Sequence, residues 1–131
     1  MNSLLPSLKH SDYFSVVWHS SRCVKHVSFA IRRPSLAQRI QLTSRVRELT
    51  FKHEFLTSGD ASDRLSASLS DLLVRKLYLE WGLVEIKGLR IDGKNATTFT
   101  LIDSGPEDLV DEIINRIEAE AGLSEEERKN S

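Results

Sequence analysis

The sequence predicts an α+β domain, mainly helical, and three observations predict it. Two stretches near the front look like strands, the second with a period of two, two long central segments carry leucines at the period of helices, and a third helical pattern runs from Gly105-Pro106-Glu107 to Gly122. The order expected is an N-terminal β-hairpin, an antiparallel helical hairpin, a short extended segment and a C-terminal helix. With 131 residues, 40% hydrophobic and 28% charged, the chain can bury one modest core and has little room for a second domain. Aromatics are only 7%, so that core must be mostly aliphatic. The expected division is a flexible tail over 1–12, a single domain over 13–123 and a charged tail over 124–131.

Tyr13–Ser20 reads as the first strand, with Phe14, Val16, Val17 and Trp18. Cys23–Arg33 reads as the second, where Val27, Phe29 and Ile31 alternate with His26, Ser28, Ala30 and Arg32. Ser20-Ser21-Arg22 is short enough to join them. A two-stranded ribbon is marginal by itself, so it must pack on something.

Ser35 is the expected cap of the next helix. Leu42, Val46, Leu49, His53 and Leu56 recur at intervals of four and three, with Leu36 and Ile40 extending the stripe and Gly59 as the stop. A second helix starts within Gly59–Asp63 and ends near Trp81-Gly82. Leu65, Leu69, Leu72, Leu73 and Leu77 mark its apolar side. A short loop between two long amphipathic helices predicts that they fold back on each other, with Leu42, Val46, Leu49, Leu69, Leu72, Leu73 and Leu77 as their core.

Gly82–Thr100 changes character. Val84-Glu85-Ile86 alternates, Asp92-Gly93 is a strong turn signal, and the β-branched Thr97-Thr98-Phe99-Thr100 suggests extended chain. Pro106, Glu107 and Asp108 suit a helix start, and Leu109, Val110, Ile113, Ile114 and Ile117 form the buried face of that helix. Ser124-Glu125-Glu126-Glu127 reads as a capping box for a last short turn.

Net charge is −1, but the halves disagree. Residues 1–57 hold nine Lys/Arg against three acids, a net of +6, and residues 58–131 hold nine against sixteen, a net of −7. Opposite ends can attract within one fold or between copies, head to tail. A pI near 6.4 argues against a dedicated nucleic-acid binder. No stretch approaches the roughly 20 apolar residues of a membrane span, and Met1–Leu8 lacks the apolar run of an export signal. With its lone thiol, Cys23, the chain is expected in the cytoplasm.

No pattern of reaction chemistry emerges. His10, His19, His26 and His53 form no helical ligand pair, and one cysteine supports neither a disulfide nor a cysteine-cluster zinc site. His53, on an apolar stripe, reads as a half-buried core histidine. Cys23 reads as a buried free thiol, since an offset of three on a strand places His26 on the opposite face. Neither phosphate-loop spacing nor a nucleophile elbow occurs, and Asp111 and Glu112 read as a solvated helix face. The expectation is no enzyme, no cofactor and no metal. Arg32, Arg33, Arg39, Arg45 and Arg47 are the best basic cluster, but the helical ones point to several sides.

Several phrases together resemble a known group. They are Arg33-Pro34-Ser35-Leu36-Ala37-Gln38-Arg39, Arg45-Val46-Arg47-Glu48-Leu49-Thr50, Phe55-Leu56, Tyr78-Leu79-Glu80-Trp81-Gly82-Leu83, Leu89-Arg90-Ile91-Asp92-Gly93, Gly105-Pro106-Glu107-Asp108-Leu109 and the closing Gly122–Asn130. In size, order and flavour they resemble the bacteriophage and prophage tail assembly chaperones, over roughly residues 24–131. The resemblance implies a short helical protein that coats the tape-measure protein while the tail tube polymerises. It implies a tape-measure or other tail protein as partner, with weak self-association along the client, in the host cytoplasm. Arg39, Arg45, Arg47, Trp81, Leu109 and Ile113 are the expected partner-binding residues. A virion structural component (tail tube, baseplate or connector subunit) is the second reading, and a nucleic-acid-binding regulator a weaker third.

Overall fold

A computed structural model describes residues 15–55 and 61–122. The fold is α+β. Strands β1 (Ser15–Ser20) and β2 (Ser28–Arg33) are followed by helices α1 (Leu36–Phe55) and α2 (Ala61–Gly82). Then come β3 (Leu83–Lys87), β4 (Arg90–Ile91), β5 (Lys94–Asn95), α3 (Thr98–Ser104) and α4 (Glu107–Ala121). The expected terminal tails, the capping box at Ser124 and the stop at Gly59 lie outside the described residues, as do the side chains of His53 and Leu56.

The N-terminal hairpin is present, and it gains a third strand. β1 and β3 both pair antiparallel with β2, so the order is β1-β2-β3. The partner that the ribbon requires is therefore partly β3, where the alternation in Val84-Glu85-Ile86 predicts extended chain but not this pairing. Phe29 and Ile31 are fully buried, as their period predicts, but Ala30 between them is buried too. Ala30 lies between Trp18 of β1 and Glu85 of β3, and the Lys87 ammonium sits 4.8 Å over the Trp18 ring. The small residue is covered by its own neighbours on the sheet.

The loop joining β1 to β2 is longer than expected, because Cys23–Val27 is turn rather than strand. Its cause is a local network. The Ser21 hydroxyl oxygen accepts the Cys23 and Val24 N–H groups at 3.1 and 3.0 Å, and His26 takes a left-handed conformation with φ 68°.

α1 begins as expected at Ser35. The Gln38 N–H donates to the Ser35 hydroxyl at 3.2 Å, and the Gln38 side chain accepts the Ser35 N–H at 2.9 Å, a reciprocal capping box. α1 and α2 pack side by side as the helical hairpin. At about 1.5 Å per residue their 20 and 22 residues make arms of about 30 Å.

The middle segment holds a two-residue hairpin and an unforeseen helix. Asp92 and Gly93 both have positive φ, 52° and 77°, as a tight turn between β4 and β5 requires. Thr97–Thr100, expected as extended chain, instead starts α3. The Thr97 hydroxyl accepts the Thr100 N–H at 3.2 Å and the Thr100 hydroxyl accepts the Thr97 N–H at 2.8 Å. This cap outweighs the β-branched composition. Pro106 is the N-cap of α4 rather than its first helical residue, and Gly122, with φ 72°, ends it.

The core is centred on α4. Leu109, Ile113, Ile114 and Ile117 are buried against Phe29 and Ile31 of β2 and against the C-terminal half of α2, where Leu77, Tyr78, Leu79 and Trp81 are buried. Each large apolar side chain so buried contributes about 1.5–3 kcal/mol. α2 approaches α4 closely at Gly82, where a Cβ would come within 2.6 Å of the Ile117 side chain. No described helix is long and apolar enough to cross a membrane.

Candidate protein-docking surface

Leucine spacing built the two long helices, but it does not bury them uniformly. Of the seven residues expected in the hairpin core, Leu42 and Leu77 are buried. Val46, Leu49 and Leu73 are half-buried, and Leu69 and Leu72 are exposed. Sequence position along α2 explains the difference. α3, α4 and the sheet pack on its C-terminal half, while the described N-terminal half has α1 beside it. Leu65, Leu69 and Leu72 stand at i, i+4 and i+7, so they share one face, and that face is 49–73% exposed.

A second exposed stripe lies on α1. Leu36 and Ile40, expected to extend the buried stripe, are 73% and 58% exposed. At about 100° per residue they fall well over a quarter-turn from Leu42, together with Arg47 and the exposed Phe51. The small drift visible in the spacing carries them off the core. Burying an apolar residue without covering it is impossible, and Leu36, Ile40 and Phe51 stay 58–73% exposed.

Beside α2 the surface is concave. A hollow of about 590 Å³ is lined by Lys76, Glu80, Thr98, Phe99, Ile102 and Asp103, and Phe99 is 76% exposed within it. A smaller hollow of about 320 Å³ adjoins it, sharing Lys76 and Ile102 and adding Leu72, Val110 and Glu107 among others. A third, of about 700 Å³, follows the outer edge of β3 and the Asn95–Phe99 segment. None gathers a nucleophile, a base and an orienting group. Among the described residues no three His, Cys, Asp or Glu side chains are placed to hold a metal ion.

The expected partner-binding residues separate into two sets. Arg45 and Arg47 are exposed on α1 and make no ion pair among the described residues. Arg39 is engaged within the fold, its Nε–H donating to the Ala121 carbonyl at 3.0 Å. Leu109 and Ile113 are not surface residues: both are fully buried, because α4 turns its apolar stripe to β2 and α2. Trp81 is also core, with the Arg32 guanidinium 5.2 Å from its ring and its indole N–H without a partner among the described residues. Arg33 approaches Glu120 at 3.9 Å. The basic cluster is thus largely tied into the domain rather than presented as one strip.

The acidic helix face is structural too. Asp111 forms an ion pair with Arg75, joining α4 to α2. Glu112 accepts the Ser21 hydroxyl at 2.6 Å and the Arg22 N–H at 2.7 Å, holding the loop between β1 and β2 onto α4. Burial raises the Glu112 pKa, but these hydrogen bonds, with those from Cys23, outweigh it and leave the carboxyl below its ordinary value. Cys23, expected buried, is exposed at this junction. Desolvation, followed by the Glu112 carboxylate, pushes its thiol up, which disfavours the reactive thiolate. His19 stacks near Phe29 with ring centroids 5.7 Å apart, and burial, then Arg116, lowers its pKa.

The exposed leucines are present in the sequence pattern, where the spacing of Leu69 and Leu72 predicts core. The missing signal was length: α4 spans 15 residues and α2 22, so one short helix cannot cover the whole arm. Comparison of the chain with protein-family models, with curated proteins and with solved structures finds no match.

Proposed function

We propose that this protein is a non-catalytic assembly chaperone of the phage-tail type, holding an amphipathic helix of a tape-measure or other tail protein in the host cytoplasm. The observation that carries the reading is the solvent-facing row Leu65, Leu69 and Leu72 on the arm of a helical hairpin. A helix surface with apolar anchors at i, i+4 and i+7 accepts the apolar face of a second helix. A long helical client kept soluble before assembly needs such a cover, repeated along its length, so that many weak contacts add. The core independent of this row, centred on α4, leaves the leucines free to exchange partners without unfolding the domain.

Co-expression with a tape-measure-like protein encoded beside this chain tests the reading. A soluble complex is expected with the unaltered chain, and its loss with Leu69→Ser/Leu72→Ser. A client that stays insoluble with the unaltered chain, or a complex indifferent to the double substitution, contradicts it.

A further inference from the structure

We propose that the leucine row of α2 and the hollow between α2 and α3 form one groove, and that the hollow selects a client helix carrying a lysine or arginine beside its apolar stripe. This selection rests on the client-binding reading above and adds the chemistry of the bound helix. Leu65, Leu69, Leu72, Lys76 and Glu80 stand at i, i+4, i+7, i+11 and i+15 of α2. At about 100° per residue they fall within about 80° of arc, so one face carries all five. Leu72 lines the smaller hollow, Lys76 lines both, and Glu80 lines the larger. The exposed row therefore runs without a break into the hollow, over about 22 Å, the length of about four turns of a bound helix.

The two ends of the groove differ in chemistry. From Leu65 to Leu72 the row offers aliphatic side chains, whereas the hollow offers the exposed Phe99 ring and the half-buried Ile102 beside carboxylates. Lys76 is paired with Glu80 at 3.6 Å and Arg75 with Asp111, so both cations lining the two hollows are already in ion pairs. Asp103 accepts a hydrogen bond from the Ser104 hydroxyl at 3.0 Å, and neither Asp103 nor Glu107 has an ion pair among the described residues. Asp103 also lies in the last turn of α3, where the helix dipole favours a cation over a carboxylate. A lysine or arginine on the client answers each of these features. Its stem lies on apolar surface, while its charge faces an aromatic ring and an acidic rim. A carboxylate at the same place meets repulsion that no unpaired cation of the lining offsets. Charge complementarity of this kind sets specificity and register more than total affinity, and it places the client's basic turn over the C-terminal half of α2.

Synthetic amphipathic helical peptides of about 18 residues, five turns, test it against the full chain by fluorescence anisotropy. All share one leucine stripe on an alanine and glutamine background. Two carry a pair of arginines flanking the stripe, one in the first turn and one in the last, and two carry glutamates at the same places. An arginine peptide is expected to bind about three- to tenfold tighter than its glutamate counterpart, with a preference that shrinks at high salt. Asp103→Asn/Glu107→Gln, both at exposed positions and checked for folding by circular dichroism melting, is expected to bind the two within about twofold of each other. Leu69→Ser/Leu72→Ser is expected to weaken both peptides alike and keep their order. Equal binding of arginine and glutamate peptides by the unaltered chain, or a preference that survives Asp103→Asn/Glu107→Gln, overturns the selection and leaves the client-binding reading standing. Binding of no peptide at all contradicts that reading and overturns the selection with it.

Discussion

Arg39 on the first turns of α1 and Ala121 at the end of α4, 82 residues apart in sequence, are joined by a hydrogen bond from the guanidinium Nε–H to the carbonyl oxygen at 3.0 Å. The last carbonyls of a helix lack partners within it, and a cation there also meets the negative end of the helix dipole. The arginine therefore fastens the hairpin to the helix on which the core is built. Arg39→Ala is expected to lower unfolding free energy by about 0.5–1.5 kcal/mol in urea melts, whereas Arg47→Glu leaves it within about 0.5 kcal/mol. Equal effects at the two positions would contradict this separation of roles.

Apolar residues of similar size are expected to behave in opposite ways. Leu109→Ala and Ile113→Ala remove fully buried side chains and are expected to cost about 2–5 kcal/mol each. Leu69→Ser and Leu65→Ser touch an exposed face and are expected to shift stability by about 0.5 kcal/mol or less. Thermal melting of the four variants measures the contrast directly.

Stability is expected to fall on the acid side in two stages. His19 has a folded-state pKa below the ordinary 6.5, so the unfolded chain binds its proton first and stability declines as pH drops below that value. Glu112 is held below the ordinary 4.5, so its contribution is complete above that value and is lost as pH falls through the lower folded value. Urea melts across pH 7 to about 3 should show both stages. Glu112→Gln should remove the second stage and deepen the first, because the Glu112 carboxylate opposes the lowering of the His19 pKa.

Gly88 is the position least tolerant of a side chain. Its φ is 86°, and a Cβ there would collide with the His26 carbonyl oxygen in the loop between β1 and β2. Gly88→Ala is expected to destabilise by at least about 1–3 kcal/mol, while Gly93→Ala, with open space around the added carbon, suffers only from its positive φ and costs less. A larger loss of melting temperature at Gly93 would show that this close approach is unimportant.

The period of the residues made most of the fold legible. Alternation marks β2, the apolar run Val16-Val17-Trp18 marks β1, leucine spacing marks α1 and α2, Asp92-Gly93 marks the tight turn, and Gly122 marks the end of α4. α3 was hidden because its cap, Thr97 with Thr100, has the composition of a strand, and only the reciprocal hydrogen bonds reveal it. The docking surface was harder to see. Periodicity shows that Leu65, Leu69 and Leu72 share a face, but burial depends on whether another element reaches that face, which is a tertiary fact. The same limit places Leu109, Ile113 and Trp81 among contact residues, when the packing of α4 on β2 and α2 buries all three. Glu112 could not be recognised as a loop anchor, because Ser21 lies 91 residues away.

Affinity of the chain for the tape-measure-like protein encoded beside it, measured by calorimetry for the unaltered chain and for Leu69→Ser/Leu72→Ser at matched thermal stability, tests the outward leucine row most directly. Binding weakened about tenfold or more, near 1.4 kcal/mol, with an unchanged melting temperature is the expected result. Unchanged affinity, or a loss that merely follows unfolding, would mean that the row is surface and not a docking site.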